Sequence, residues 1–82
     1  MPSHRVLLFD VLRRSVGHAE VTAEVPDGAT GADLLAVLAE AHPSIAAHRS
    51  VIRLAVNLHY VPLSTLLAPD DEVALITPVS GG

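Results

Sequence analysis

The spacing of apolar positions changes several times along the chain, and each change marks a structural element. Arg5-Val6-Leu7-Leu8-Phe9 is a short apolar run between polar neighbours. Its length suits a buried strand better than a helix. Val11, Leu12 and Val16 bracket Arg13 and Arg14, which predicts one or two helical turns closed by Gly17. Glu20-Val21-Thr22-Ala23-Glu24-Val25 alternates polar and apolar. That is the pattern of a half-buried strand with Val21, Ala23 and Val25 on one face. Pro26-Asp27-Gly28 turns the chain. Thr30 then offers an N-cap with Asp33 three residues on, a capping box, and the acid also meets the positive end of the helix dipole. Leu34, Leu35, Leu38 and Ala41 follow at helical spacing. This helix stops before His42-Pro43, because a residue preceding proline avoids the helical region.

Ser44 to Ser50 suits another short helical piece. Val51 to Val56 reads as a strand, Tyr60-Val61 as a short strand ended by Pro62, and Ser64 to Ala68 as a helical turn. Pro69-Asp70-Asp71 is a turn signal, and Glu72 to Ile76 a last strand. Val6, Leu8, Val21, Ala23, Val25, Leu34, Leu35, Leu38, Ile52, Leu54, Val56, Val73 and Leu75 are the expected core. A strand pair, one long helix and further strands give an α+β domain with the helix on one face of a mixed sheet. That is the β-grasp, or ubiquitin-like, arrangement. Residues 1–76 form the domain in this reading, and residues 77–82 a flexible C-terminal tail, since Pro78 cannot donate to a ladder and Gly81-Gly82 cannot pack.

Composition narrows the functional classes. The chain has 82 residues, enough for one domain, and half of them are apolar while 17% are charged. That balance excludes disorder. No apolar run approaches the roughly 20 residues of a membrane span, and the first residues do not resemble an export signal. With no cysteine in the chain, a cytoplasmic location is expected and thiolate chemistry is excluded. A net charge of −4 and only five cationic side chains, all arginine, argue against nucleic acid as a partner. His4, His18, His42, His48 and His59 include no pair at the spacing of a helical zinc site, so structural or surface roles are expected. Asp70-Asp71-Glu72 reads as a solvated turn, and no metal is expected. No serine sits in a nucleophile elbow and no glycine loop matches a phosphate cradle. The chain carries no self-contained active site.

The remaining chemistry lies in Gly81-Gly82. Two glycines are thin and adaptable, so a carboxylate can pass down a narrow channel to a reactive centre. Residues 77–82 span about 20 Å when extended, at roughly 3.3 Å per residue. The segment from Glu72 to Gly82, ending Pro78-Val79-Ser80-Gly81-Gly82, resembles the MoaD-like small subunits of molybdopterin synthase, within the ubiquitin-like MoaD/ThiS family. Leu54-Ala55-Val56-Asn57, Pro62-Leu63, the turn from Pro69 to Glu72, the run from Leu8 to Gly17 and the helix start at Pro26 to Leu35 are similar to the family as well. Asp10, Arg14, Ile76 and Thr77 depart from the usual residues at their positions.

The resemblance implies a sulfur carrier that is not a catalyst by itself. In such proteins an ATP-using, E1-like enzyme adenylates the carboxylate here belonging to Gly82, and a sulfur donor protein converts the acyl-adenylate to a thiocarboxylate. The tail then enters the large subunit of molybdopterin synthase, where its sulfur builds the dithiolene of the molybdenum cofactor. No cofactor is expected on the carrier itself. The resemblance also implies a heterotetramer with two small subunits. Phe9, Arg13, Leu75, Ile76, Pro78 and Val79 are the expected partner interface, and Gly81 and Gly82 the reactive end. The same tail chemistry serves carriers for thiamine, thionucleoside or cysteine synthesis, and ubiquitin-like modifiers joined to lysines.

Overall fold

A computed structural model describes residues 3–77. Strand β1 (Ser3–Leu8) pairs antiparallel with β2 (Glu20–Glu24), with Val6 opposite Val21. Helix α1 (Asp10–Val16) lies in the connection between them. Gly17 ends it at φ 89°, and its N–H donates to the Arg13 carbonyl oxygen at 3.0 Å. A left-handed backbone of that kind is open to glycine at no steric cost, which is why the helix stops there.

Helix α2 (Gly31–Ala41) starts with the reciprocal cap read from the sequence. The Asp33 N–H donates to Thr30 Oγ1 at 3.3 Å, and the Thr30 N–H donates to Asp33 Oδ2 at 2.9 Å. The other open donors of the first turn are satisfied from far along the chain. The Gly31 N–H reaches the Thr65 carbonyl at 3.0 Å, and the Ala32 N–H reaches that of Leu63 at 2.8 Å. This corrects the reading of Ser64 to Ala68 as a helical turn. The segment runs as a loop, bridged to Thr30 at Leu66 and tied by the Leu67 N–H to the Ala29 carbonyl. The Thr65 carbonyl serves α2 and the Leu67 N–H serves Ala29, so the segment's backbone pairs outward instead of forming a helical turn of its own. The approach is close: a Cβ on Gly31 would collide with the Leu54 side chain and lie 3.2 Å from the Leu63 carbonyl oxygen.

After α2 the chain turns at His42 into α3 (Pro43–Ala47), with proline in the first turn, where its missing N–H costs nothing. A 3-10 turn at Arg49–Val51 follows, so the next strand, β3 (Arg53–Val56), starts two residues later than its alternation suggests. β3 pairs antiparallel with β4 (His59–Val61), and β5 (Val73–Ile76) closes the sheet.

The sheet order is β2-β1-β5-β3-β4. β5 therefore sits in the centre, parallel to β1 with Leu8 opposite Leu75, and antiparallel to β3 with Val56 opposite Val73. This is the β-grasp fold, with α2 across one face. Every residue of the expected core is buried. Leu12, Ala29, Ile45 and Leu67 join it, contributed by α1, the turn before α2, α3 and the capping loop. Thr77 is buried as well, so the packed body extends one residue beyond Ile76. The remainder of the expected tail, 78–82, lies outside the described residues. Among the described residues no helix is long and apolar enough to cross a membrane.

Leu38 is 1% exposed, on the α2 face that meets the sheet. Leu38→Ala should cost about 2–5 kcal/mol of stability. Urea unfolding measures it, and a midpoint equal to that of the wild type would contradict the packing. In a domain whose total stability is about 5–15 kcal/mol, such a loss is severe.

Candidate functional site

Pairing decides what surrounds the end of β5. Val73, Leu75 and Thr77 point toward the helices and are buried, while Ala74 and Ile76 point to the opposite face and are half-buried. The parallel register places Leu8 beside Leu75, so Phe9 follows next to Ile76. On the other flank Ile76 is paired with Arg53. The last outward side chain of the sheet thus shares the groove with an aromatic ring, and its register partner on β3 is Arg53. Phe9 is 42% exposed and caps α1 in extended geometry.

The outer face continues from there as an apolar groove of about 240 Å³, lined by Leu7, Phe9, Ala55, Leu58, Tyr60, Glu72, Ala74 and Ile76. Leu7, Ala74, Ala55 and Tyr60 occupy one row across four strands, because each is the register partner of the next. Ala55 is buried even though it faces away from the helices. At the β2 side, Arg5 closes the face with a two-pronged contact to Glu20, Nη2 to Oε1 at 2.8 Å and Nε to Oε2 at 3.0 Å. These hydrogen bonds hold the Glu20 carboxyl below its ordinary range, and their counterpart raises Arg5. Both groups are exposed, so the pair adds little stability.

A polar clamp sets the far end of the groove. Asn57 donates from Nδ2 to Asp71 Oδ1 at 2.9 Å and accepts at Oδ1 from the Glu72 N–H at 3.0 Å. Its own N–H donates to the Glu72 carbonyl at 2.8 Å. Asp71 also accepts the Ala68 N–H at 2.8 Å. The acidic run therefore does structural work, joining the β3–β4 turn to the start of β5. Among the described residues no group of three histidine, aspartate or glutamate side chains is placed to hold a metal ion.

Of the expected interface residues, Phe9 and Ile76 share the groove. Leu75 does not: it is wholly buried, because strand alternation puts it on the core side with Val73. Arg13 is exposed on α1 but lines a separate hollow with Asp10 and Arg14. Pro78, Val79, Gly81 and Gly82 lie outside the described residues. Sequence reasoning missed Leu7, Leu58 and Tyr60, which line the same groove. The available signal was the run Val6-Leu7-Leu8, apolar on both faces, which a strand with one solvated face would not show.

The model of the ThiS family matches residues 6–82 of this chain. The molybdopterin synthase sulfur carrier subunit of Chlamydomonas reinhardtii is 40% identical over 80 residues, covering 95% of this chain and 96% of that protein. The subunit of the same description from Arabidopsis thaliana is 37% identical over 78 residues, covering 95% and 81%. Among solved structures, small archaeal modifier protein 1 of H. volcanii superposes with a TM-score of 0.86 at 28% identity, covering 96% of this chain and all of that one.

The clamp makes a prediction of its own. Asn57 adopts φ 51°, which asparagine tolerates far better than most residues, and its side chain makes two hydrogen bonds. Asn57→Ala should therefore cost about 1–3 kcal/mol, read as a lower denaturation midpoint, by stranding Asp71 and the Glu72 N–H and straining the turn. Unchanged stability would mean the turn is held by something else.

Proposed function

Because the chain belongs to the ThiS family, we propose that it is the sulfur carrier subunit of a molybdopterin synthase. The observation that carries this reading is the family match running to residue 82, which takes in Gly81-Gly82, on a body whose last strand is the central one. The full-length likeness to curated subunits of that description supports the molybdopterin branch.

The body supplies docking and the tail supplies chemistry. The carboxylate of Gly82 is adenylated at the expense of ATP by an E1-like enzyme, sulfur from a donor protein displaces AMP, and a thiocarboxylate results. The tail then carries this sulfur into the large subunit, which provides the groups that bind the pterin precursor and completes a heterotetramer. Docking the body first lets the tail find its channel as an intramolecular event, at a high effective concentration. Phe9 and Ile76, at the point where the chain leaves the sheet, are the docking contacts nearest the tail.

A second reading has a specific support in the likeness to a small archaeal modifier protein. The activation of Gly82 is the same in that reading, and the acceptor is an amine of another protein instead of a pterin precursor. Carriers for thiamine, thionucleoside or cysteine synthesis share the activation too, so the acceptor separates these roles.

Two measurements test the proposal. The chain co-expressed with its activating enzyme should gain the mass difference between a sulfur and an oxygen atom, confined to Gly82. Deleting Gly82 moves the carboxyl back by about 3.3–3.6 Å. Since a misplacement of even about 1 Å can cost a hundredfold in rate, the shortened chain should fold and bind but give no product in a synthase assay. Normal turnover by the truncated chain would overturn the reading. Ile76→Asp should leave the fold intact and weaken binding to the large subunit by about tenfold or more, by placing a charge in an apolar contact. Undiminished binding would remove this face from the interface.

A further inference from the structure

The sheet has an edge strand on each side, β2 and β4, and the two edges differ in sign. Glu20 and Glu24 stand on β2. Beside β4 the charge is reversed. Arg49 and Arg53 are exposed there, and neither lies within ion-pair distance of a carboxylate among the described residues. In a chain of net charge −4 this is a local excess of positive charge.

The two arginines border a trough that exists because of the way β4 ends. Asn57 and Leu58 reverse the chain in two residues, both at positive φ, and Val56 pairs with His59 directly across the turn. Bonded and unbonded pairs then alternate, which leaves Tyr60 with its N–H and C=O pointing away from β3. Val61, opposite Leu54, is the last residue of β4, and at Pro62 the chain leaves the ladder. No part of β4 is therefore paired with Arg53. The opening consists of two adjoining hollows of about 590 and 350 Å³ that share Arg53, Leu54, Val61 and Pro62. Leu35, Ile52 and Leu63 extend the second hollow, with Arg49 and Ser50 beside them. No acid lines either one.

We propose that this trough binds an extended segment of a partner protein in which acidic and apolar residues alternate. Three features specify that occupant. Leu35, Ile52 and Leu54 are at most 5% exposed, so the trough is shallow. A chain can lie across it, whereas a small molecule needs a site that buries most of its surface. Tyr60 offers an unpaired backbone donor and acceptor at a strand edge, which is what an added strand uses. Arg53 and Leu54 are neighbours on β3 and point to opposite faces, so a strand laid along this edge meets a cation on one face and apolar side chains on the other. The β2 edge of a second copy alternates in the same way but does not fit, because its Val21 and Ala23 are buried in its own core. Edge β4 is short and followed by proline, so backbone pairing contributes little and the side chains carry the selectivity.

The probe is a short capped peptide alternating glutamate and valine, titrated into the isotope-labelled full-length chain. The amide NMR signals of Arg53, Tyr60 and Leu63 should shift and saturate, while those of Leu7 and Ala74 on the outer face stay in place. Added salt should weaken the binding, since the arginines are exposed. Arg49→Gln combined with Arg53→Gln should weaken it about three- to tenfold, with the thermal midpoint unchanged. A peptide alternating lysine and valine should leave the spectrum as it was. Equal binding of the lysine peptide, or undiminished binding by the double variant, would overturn the proposal. So would shifts confined to the outer face or to β2, or none at millimolar peptide. If octanoate moves the same signals at the same concentrations, the trough is a site for small amphipathic anions and the peptide assignment falls. None of these outcomes depends on the chemistry of Gly82, so the carrier reading stands or fails separately.

Discussion

The parallel contact between β1 and β5 is the constraint on which the rest depends. It joins Val6 and Leu8 to Val73 and Leu75, near opposite ends of the sequence, and all four side chains are buried. Parallel neighbours cannot be linked by a tight turn, so the chain must travel between them. α1, β2, α2, α3, β3 and β4 fill that journey, and α2 covers the face left open by the sheet. The loop from Pro62 to Ala68 then has to return past the start of α2 to reach β5. Its path explains why its carbonyls meet the helix donors. Cap, loop and central strand form one closed circuit.

The parts of this circuit that were legible in the sequence are those set by neighbouring residues. The alternation at Glu20 to Val25, the box at Thr30 and Asp33, and the stop at Gly17 each depend on a few adjacent positions, and each appears as read. Ser64-Thr65-Leu66-Leu67-Ala68 was not legible, because its local pattern is compatible with a helix while its backbone is claimed by residues more than thirty positions earlier. Leu75 is a different case. Alternation from Val73 assigns it to the core, and that rule also excludes it from the outer face. The position of Leu58 depends on the backbone angle of a turn, which composition does not announce.

The two faces of the sheet divide the labour. One is sealed by α2 and supplies stability, and the other carries few charges at its centre and keeps an open groove. Nothing within the described residues assembles a nucleophile, a metal cage or a phosphate cradle. What the described residues offer instead is an exposed apolar surface beside the end of β5.

The central position of β5 also has a mechanical meaning. A pull on the end of the chain is directed along β5, across the hydrogen bonds to β1 on one side and β3 on the other. Bonds loaded in this way share the force and must yield together, whereas a strand peeled from an edge loses them one at a time. A force applied beyond Thr77 is therefore borne by both ladders together, and the body behind it does not unravel bond by bond.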